Sequence, residues 1–251
     1  MPSSAIEVVG LSKQFGAVTA VAGISFSVRG GTVTALLGGN GAGKTTTMGM
    51  ILGLVTPSAG QVRVLGHDMP ADRGLILPRV NFSSPYVDLP HRLTARQNLV
   101  VYAHLYGLRD VKRRVDALAQ SFDLVGLMNR TTGTLSAGQK TRLALTKALV
   151  NEPDVLLLDE PTASLDPDTA DWIRRHLQDY QRRTGATILL ASHNMTEVER
   201  LAHDVVMLRQ GVIVDQDAPD RLISRYGRRD LEEVFLEIAR GGGPKPAETA
   251  A

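Results

Sequence analysis

Apolar residues along this chain form short runs separated by glycine-rich or polar turns. Alternating or continuous runs of β-branched and aliphatic residues predict strands, because a strand places successive side chains on opposite faces. Strands are predicted at residues 6–9, 24–28, 32–37, 60–65, 155–159 and 187–192, with a further strand near Val80. Residues 205–208 and 212–215 are predicted to form a hairpin. Runs 32–37, 155–159 and 187–192 are apolar almost throughout, which is typical of strands buried on both faces.

Helical periodicity occupies the intervening parts of the chain. Apolar residues at three- and four-residue spacing predict helices at 44–54, 169–183 and 231–240, and a helical region from about 90 to 149. The pattern predicts one α/β domain over residues 5–240, with an α-helical subdomain of about 86–150 inserted in it. A turn is expected at 66–68, and the Gly/Pro/Ala-rich segment 241–251 is predicted to be disordered.

Composition narrows the class of protein. The chain has 251 residues, a formal charge of +2 and no cysteine, which excludes disulfides, Cys-based zinc sites and thiol nucleophiles. Basic residues are interspersed with acidic ones, so we expect no nucleic-acid partner. No apolar run approaches the roughly 18–20 residues that span a bilayer, and the N-terminus has no signal-peptide pattern. We therefore expect membrane contact only through a partner.

A glycine-rich turn between the predicted strand 32–37 and the predicted helix 44–54 satisfies the phosphate-loop pattern G-x-x-x-x-G-K-[ST]. Its glycines let backbone N–H groups turn toward an anion, at the positive end of the helix dipole. Lys44 is predicted to reach the β- and γ-phosphates, and Thr45 to ligate Mg²⁺. The predicted nucleotide contacts are Gly38, Gly39, Asn40, Gly41, Ala42, Gly43, Lys44, Thr45 and Thr46.

Two carboxylates, Asp159 and Glu160, end the apolar run that begins at Val155. Ligands of open α/β sheets bind at the carboxyl ends of the strands. Asp159 is predicted to hold Mg²⁺ through water, and Glu160, on the other side of the strand, to orient or deprotonate an attacking water. Together with the phosphate loop, the pair predicts a P-loop nucleotidase. The chain lacks Asn-Lys-x-Asp, the guanine-reading motif of GTPases.

The segment Leu135-Ser136-Ala137-Gly138-Gln139 resembles the signature motif of ABC ATPases, which is Leu-Ser-Gly-Gly-Gln with a variable third position. It follows the predicted helical region and precedes the acidic strand end by about twenty residues. A helix is predicted to begin near Gln139, and phosphate binds readily at such a helix start. The resemblance implies that Ser136, Gly138 and Gln139 cap ATP bound to the opposite subunit. It also implies a P-loop NTPase core with a mixed sheet and an N-terminal antiparallel β subdomain.

Further motifs similar to those of the ABC family follow in order. Ser-Leu-Asp at 164–166 resembles the D-loop, and Ala-Ser-His-Asn at 191–194 resembles the switch-histidine segment. The resemblance implies that His193 contacts the γ-phosphate and maintains the catalytic geometry with Glu160. Phe15 matches the position of the aromatic residue that stacks on adenine in the family. The alternative is that Phe15 is a core aromatic residue of the first hairpin.

Two positions depart from the family pattern. Gly39 replaces the usual Pro or Ser of the phosphate loop, which lowers rigidity but removes no ligand. The Q-loop glutamine, which in the family links Mg²⁺ and the attacking water to the membrane partner, is missing, and Ser84 or Pro85 stands in its place. Ser83, Ser84 or Asn81 is a candidate substitute. We expect hydrolysis to survive but to be weaker or more dependent on the partner.

Leu-Glu-Glu-Val-Phe-Leu at 231–236 is similar to the C-terminal tail of ATPase subunits that serve exporters of drugs, polysaccharides or lipids. The alternative interpretation is that this segment is simply an amphipathic helix packed on the hairpin, and the two interpretations are compatible. The resemblance implies an ATP-hydrolysing subunit that dimerises around two ATP and Mg²⁺, with itself or with a related ATPase. It implies a separate transmembrane permease docked near residues 82–89, and a peripheral position on the cytoplasmic face of the inner membrane. The alternatives are a soluble ABC-type ATPase acting on DNA or the ribosome, and a nucleotide-binding regulator that hydrolyses poorly.

Overall fold

The computed structural model describes residues 4–85, 88–163 and 165–240. The segment 241–251, predicted to be disordered, lies outside the described residues, as does Ser164 of the D-loop segment. The chain divides into two compact units. The first unit comprises the chain up to Arg73 together with the chain from Thr187 onward, and the second runs from Gly74 to Ala186.

The elements of the described residues alternate between strands and helices. The strands are β1 (Ser4–Phe15), β2 (Val18–Arg29), β3 (Val33–Leu37), β4 (Ala59–Val64), β5 (His67–Met69), β6 (Val80–Ser83), β7 (Val155–Asp159), β8 (Thr187–Ser192), β9 (Asp204–Arg209) and β10 (Val212–Asp217). The helices are α1 (Lys44–Ile51), α2 (Arg73–Ile76), α3 (Ala95–Leu105), α4 (Val111–Ser121), α5 (Ala137–Ala148), α6 (Pro167–Thr184), α7 (Met195–Leu201), α8 (Pro219–Tyr226) and α9 (Leu231–Ala239). Short 3₁₀ turns occupy Leu77–Arg79, Val125–Leu127 and Thr132–Thr134.

The first unit contains two groups of hydrogen-bonded strands. One is an antiparallel sheet in the order β2-β1-β4-β5, as the family resemblance implies. In the other group β3 pairs in parallel with β8 and with β9, while β9 pairs with β10 in antiparallel fashion. These strands form a mixed sheet, and the fold class predicted from the sequence is confirmed.

The core of the first unit lies between this mixed sheet and its C-terminal helices. Every residue of β3 and β8 is buried, and β3 has a strand on each edge, β8 and β9. Side chains of β3 and β9 pack against α7, α8 and α9 in one apolar cluster that includes Leu37, Met207, Leu222 and Val234. This cluster fixes the last three helices against β3, the strand that leads into the phosphate loop, and against β9.

The second unit combines a parallel strand pair, β6 with β7, and four longer helices. Thr94 and Gln97 form a capping box at the start of α3. Asp166 caps α6 by accepting a hydrogen bond from Thr169 N at 2.9 Å, and this hydrogen bond lowers the pKa of the Asp166 carboxyl. The ring of Trp172 on α6 stacks on His176 at a centroid distance of 3.6 Å. Side-chain caps therefore fix the starts of α3 and α6.

Most of the predicted elements are confirmed, and the differences lie at short segments. Strands at 155–159 and 187–192 have the predicted bounds, whereas the first helix ends at Ile51 rather than at residue 54. The turn predicted at 66–68 lies earlier, at Leu65 and Gly66, because His67 already pairs with Val64 at the start of β5. The sequence pattern assigned no element to α2, α7 or α8. Helices α3, α4 and α5 lie inside the predicted helical region.

Candidate active site

The phosphate loop joins β3 to α1 in the first unit, and two of its glycines are required by close backbone contacts. A Cβ on Gly38 would lie 2.5 Å from the carbonyl oxygen of Leu208. A Cβ on Gly43, whose φ is +102°, would lie 2.7 Å from the carbonyl oxygen of Ala20. Gly43 gives α1 no side-chain cap, so the first turn of this helix is suited to hold an anion with its backbone N–H groups.

Lys44 lies across the loop with its ammonium group over the loop backbone. Its Nζ donates to the carbonyl oxygen of Gly38 at 2.7 Å and to that of Gly39 at 3.3 Å. Ala42 N donates to Gly39 O at 3.2 Å, which closes a tight turn inside the loop. The loop thus gathers backbone amides and one buried cation around a single concave turn, an arrangement that binds phosphate groups.

His193 lies at the same edge of the sheet as the phosphate loop. In the parallel pair of β3 and β8, Leu37 is opposite Ser192, so the residues that follow, Gly38 and His193, leave the sheet side by side. The backbone around His193 is held by Ser192, whose Oγ donates to Glu197 at 2.7 Å and accepts from Asn194 N at 3.0 Å. The histidine side chain itself is exposed.

Phe15 presents its ring to solvent at the end of β1. It is 51% exposed, so the alternative of a core aromatic residue does not fit. Phe15 pairs with Val18 on β2, and two residues further along β2 the carbonyl of Ala20 lies against Gly43 of the loop. The first unit therefore brings together the predicted adenine-stacking residue, the phosphate loop and His193.

The second unit carries the two predicted acidic residues. β7 is buried along its whole length and ends at Asp159, which is 1% exposed. Glu160 follows with a φ of +50°, a left-handed conformation that costs a non-glycine residue about 1–3 kcal/mol and that recurs at active sites. Glu160 lines a cavity of about 500 Å³, to which Ser84 and Ala137 also contribute.

Ser84, which with Pro85 is one of the two residues expected at the position of the missing Q-loop glutamine, directly follows β6. Parallel pairing of β6 and β7 sets Ser83 opposite Leu158, so the next residues, Ser84 after β6 and Asp159 at the end of β7, lie at the same edge. Ser84 is buried and lines the same cavity as Glu160. Of the candidate substitutes, Ser84 therefore has the geometry that comes nearest to the expected role.

Asn81 does not fit as the substitute. Its Nδ2 donates to Asn151 Oδ1 at 2.7 Å, and its Oδ1 accepts from Phe82 N at 2.8 Å. The side chain is buried and its amide is used to tie β6 to the end of α5. An amide held in this way cannot turn toward the carboxyl end of the strand without breaking both bonds.

The signature segment forms the N-terminus of α5, which begins at Ala137. Ser136 Oγ accepts from Gln139 N at 3.3 Å, and Gln139 Oε1 accepts from Ser136 N at 3.0 Å, which is a reciprocal capping box. A Cβ on Gly138 would lie 3.5 Å from Thr169 Cγ2, an ordinary contact. Packing inside this unit therefore does not require glycine at 138.

Lys147, near the end of α5, is a buried charged residue that was not predicted from the sequence. Its Nζ donates to the carbonyl oxygen of Phe82 at 2.8 Å, one residue before the end of β6, and lies 5.4 Å from the centre of the Tyr102 ring. Burial lowers its pKa to about 8. The signal available in the sequence was a lysine within the mostly apolar segment 143–150.

Comparison with known proteins identifies the family. The sequence profile described as "ABC transporter" matches residues 21–163. Nod factor export ATP-binding protein I of Paraburkholderia xenovorans (strain LB400) is 38% identical, over 98% of this chain and 79% of the relative. A solved ATP-binding subunit of an ABC transporter superposes with a TM-score of 0.86 at 27% identity, covering 94% of this chain and all of that one. A dimeric ATP-binding cassette bound to ADP and Pi, 21% identical, shares the fold at a TM-score of 0.76, with 85% of this chain and 98% of that chain covered. This chain therefore belongs to the ABC transporter family, as an ATP-binding and ATP-hydrolysing subunit.

Proposed function

We propose that this chain pairs with a second copy, or with a related ATPase subunit, around two ATP molecules and drives a separate exporter permease. The observation that carries the proposal is the open first turn of α5. Gly138 has space for a methyl group, although glycine inside a helix is about 1 kcal/mol less favourable than alanine. A glycine that its own unit does not need fits the close approach of a nucleotide held by another subunit.

In this proposal each ATP lies between two subunits. One subunit supplies Phe15 against the adenine and residues 38–46 around the phosphates. The other supplies Ser136, Gly138 and Gln139 at the start of α5, where the helix dipole favours the negatively charged phosphates. Because the nucleotide joins the two surfaces, ATP holds the pair closed and hydrolysis releases it.

Thr45 of the first unit and Asp159 of the second are proposed as Mg²⁺ ligands on the chemistry of their donors, a hydroxyl and a carboxylate, which are oxygen donors that this ion prefers. Within the described ranges, no three His, Cys, Asp or Glu side chains cluster as a metal site by themselves, so the other ligands are expected to be phosphate oxygens and water. When bound, Mg²⁺ supplies positive charge that offsets charge developing on the phosphates.

Hydrolysis is assigned to Glu160 and His193. Glu160 accepts a proton from the attacking water or orients it, and His193 donates a hydrogen bond to the γ-phosphate. Ser84, in place of the usual glutamine, offers a shorter side chain with one hydroxyl. We expect turnover of the isolated chain to be slow, and to rise when the membrane partner orders the residues around Ser84.

The export assignment and the location rest on the relatives. The protein of P. xenovorans is named an export ATP-binding protein, and residues 231–236 of this chain carry the exporter-like tail. No helix in the described part of the chain is long and apolar enough to cross a bilayer. A permease is proposed to dock at the cytoplasmic face of the inner membrane, on the cavity that Pro85 and Leu89 line.

ATP turnover with Mg²⁺ and gel filtration in ATP test the proposal. Wild type, Glu160→Gln, Ser136→Arg and Lys44→Ala are compared. We expect slow turnover by wild type, an ATP-trapped dimer of Glu160→Gln, and nucleotide binding without dimerisation by Ser136→Arg. Lys44→Ala is expected to lose tight binding. Normal ATP-dependent dimerisation of Ser136→Arg, tested on the Glu160→Gln background, would refute the shared site. ATP binding with no turnover, alone or with membranes containing the permease, would instead indicate a regulator.

A further inference from the structure

The C-terminal helix α9 lies beside the phosphate loop. The ring of Phe235 faces Gly39, and its Cζ is 3.8 Å from the position that a Cβ on Gly39 would occupy. Both residues line a cavity of about 210 Å³, together with residues 40–42 of the loop, residues 207–210 at the end of β9, Val214 and Ile238. The loop therefore has α9 as one of its walls.

α9 is firmly attached to the first unit. Leu231, Val234 and Ile238 are buried in the apolar cluster with β3 and β9, and Phe235 packs against the same cluster. Arg209 Nη1 donates to the carbonyl oxygen of Ile238 at 2.7 Å, which ties the last turn of the helix to the end of β9. A helix fixed at both ends can constrain what its side chains touch.

The same helix also contacts the element that follows His193. Leu231 N donates to Glu199 Oε1 at 2.5 Å, and Glu199 belongs to α7, the helix that Asn194 caps directly after the histidine. α9 thus bridges the phosphate loop and the helix after the switch-histidine segment. Both contacts lie within one unit.

We infer that α9 positions the phosphate loop through Phe235 and thereby sets nucleotide affinity. Gly39 stands where the family usually has Pro or Ser, so the loop has more backbone freedom at this point. The Phe235 ring beside Gly39 limits how far the loop backbone can move toward α9. Phe235 is a positioning residue, and the inference rests on the proposed ATP site at the loop.

The experiment measures the Kd of ADP by isothermal titration calorimetry, and kcat for ATP, in variants of α9. If Phe235→Ala lets the loop leave its binding conformation nine-tenths of the time, the apparent Kd rises about tenfold, while kcat at saturating ATP stays within about twofold. Phe235→Leu keeps part of the contact and is expected to raise Kd about threefold.

Two control variants separate positioning from stability. Val234→Ala truncates a buried neighbour on the same helix, and Leu236→Ala truncates an exposed one. Both are expected to bind ADP like wild type at a temperature where they are folded, although Val234→Ala lowers the melting temperature. An equal rise of Kd in Val234→Ala, or a wild-type Kd in folded Phe235→Ala, would overturn the inference.

Two further outcomes keep the test decisive. If Phe235→Ala does not fold, Phe235→Leu against Leu236→Ala decides, and equal Kd values overturn the inference. Lys44→Ala separates the inference from the proposed site. If Lys44→Ala loses ADP binding while Phe235→Ala binds ADP like wild type, the inference about α9 is refuted and the proposed ATP site stands. Wild-type binding in Lys44→Ala removes the proposed site itself.

Discussion

Lys147 is expected to make the second unit more stable as the pH rises, because this lysine is buried with its charge. The residue is 7% exposed, and its ammonium group donates to Phe82 O at 2.8 Å beside the ring of Tyr102. Burial disfavours the charged form and lowers the pKa from 10.5 to about 8. At neutral pH the folded protein therefore keeps a costly buried charge.

The magnitude follows from the two pKa values. Between about pH 8 and pH 10.5 the unfolded chain holds the proton on Lys147 and the folded chain does not, so stability rises as pH rises through this window. From about pH 7.5 to about pH 9.5 the lysine alone is expected to raise the free energy of unfolding by about 2 kcal/mol.

Urea unfolding of wild type and Lys147→Met at both pH values isolates this effect. Trp172 is the one tryptophan of the chain and lies in the same unit, packed against Phe122 and His176, so its fluorescence reports the relevant unfolding. Other titrations are common to the two proteins and cancel in the difference. Between the two pH values, we expect the free energy of unfolding to rise by about 2 kcal/mol more in wild type than in Lys147→Met. Parallel changes in the two proteins would refute the reasoning.

Two glycine substitutions give further predictions. Gly39→Ala is expected to raise the free energy of unfolding by about 0.4–1 kcal/mol in urea titrations, because the new methyl group meets Phe235 at an ordinary distance; a loss of stability would contradict this. Gly138→Ala is expected to stabilise the monomer by roughly 0.5–1 kcal/mol yet to weaken ATP-dependent dimerisation of the Glu160→Gln protein in gel filtration. An unchanged dimer would show that the first turn of α5 does not approach the other subunit's nucleotide.

Sequence patterns predicted the strands that are buried on both faces most accurately. The apolar runs inside 155–159 and 187–192 stop at a polar residue, Asp159 or Ser192, and burial stops directly after that residue, so the pattern marks the strand end. Short elements gave no such signal. β5 has three residues and exists because it pairs with β4, and α7 has seven residues, too few for helical periodicity to emerge. Tertiary contacts decide such segments.

The phosphate loop and the signature segment were predictable because each is a local motif with one backbone requirement. The contact of Phe235 with Gly39 and the burial of Lys147 under β6 join residues far apart in sequence, and no local pattern encodes them. Asn81 illustrates the same limit. Its side-chain amide is chemically suited to replace glutamine. That amide is hydrogen-bonded to Asn151, 70 residues further along the chain, and no local pattern reveals this bond.

Three residues are costly to the isolated chain, and the proposed mechanism accounts for each of them. Phe15 exposes half of an aromatic ring, Glu160 takes a left-handed backbone conformation, and Gly138 weakens a helix that has space for alanine. An adenine would cover the ring, an attacking water would use a carboxylate at the end of the strand, and a partner's phosphates would approach the bare backbone. Residues whose exposure, backbone strain or missing side chain costs stability are thus informative about ligands, because such costs are retained where function uses them.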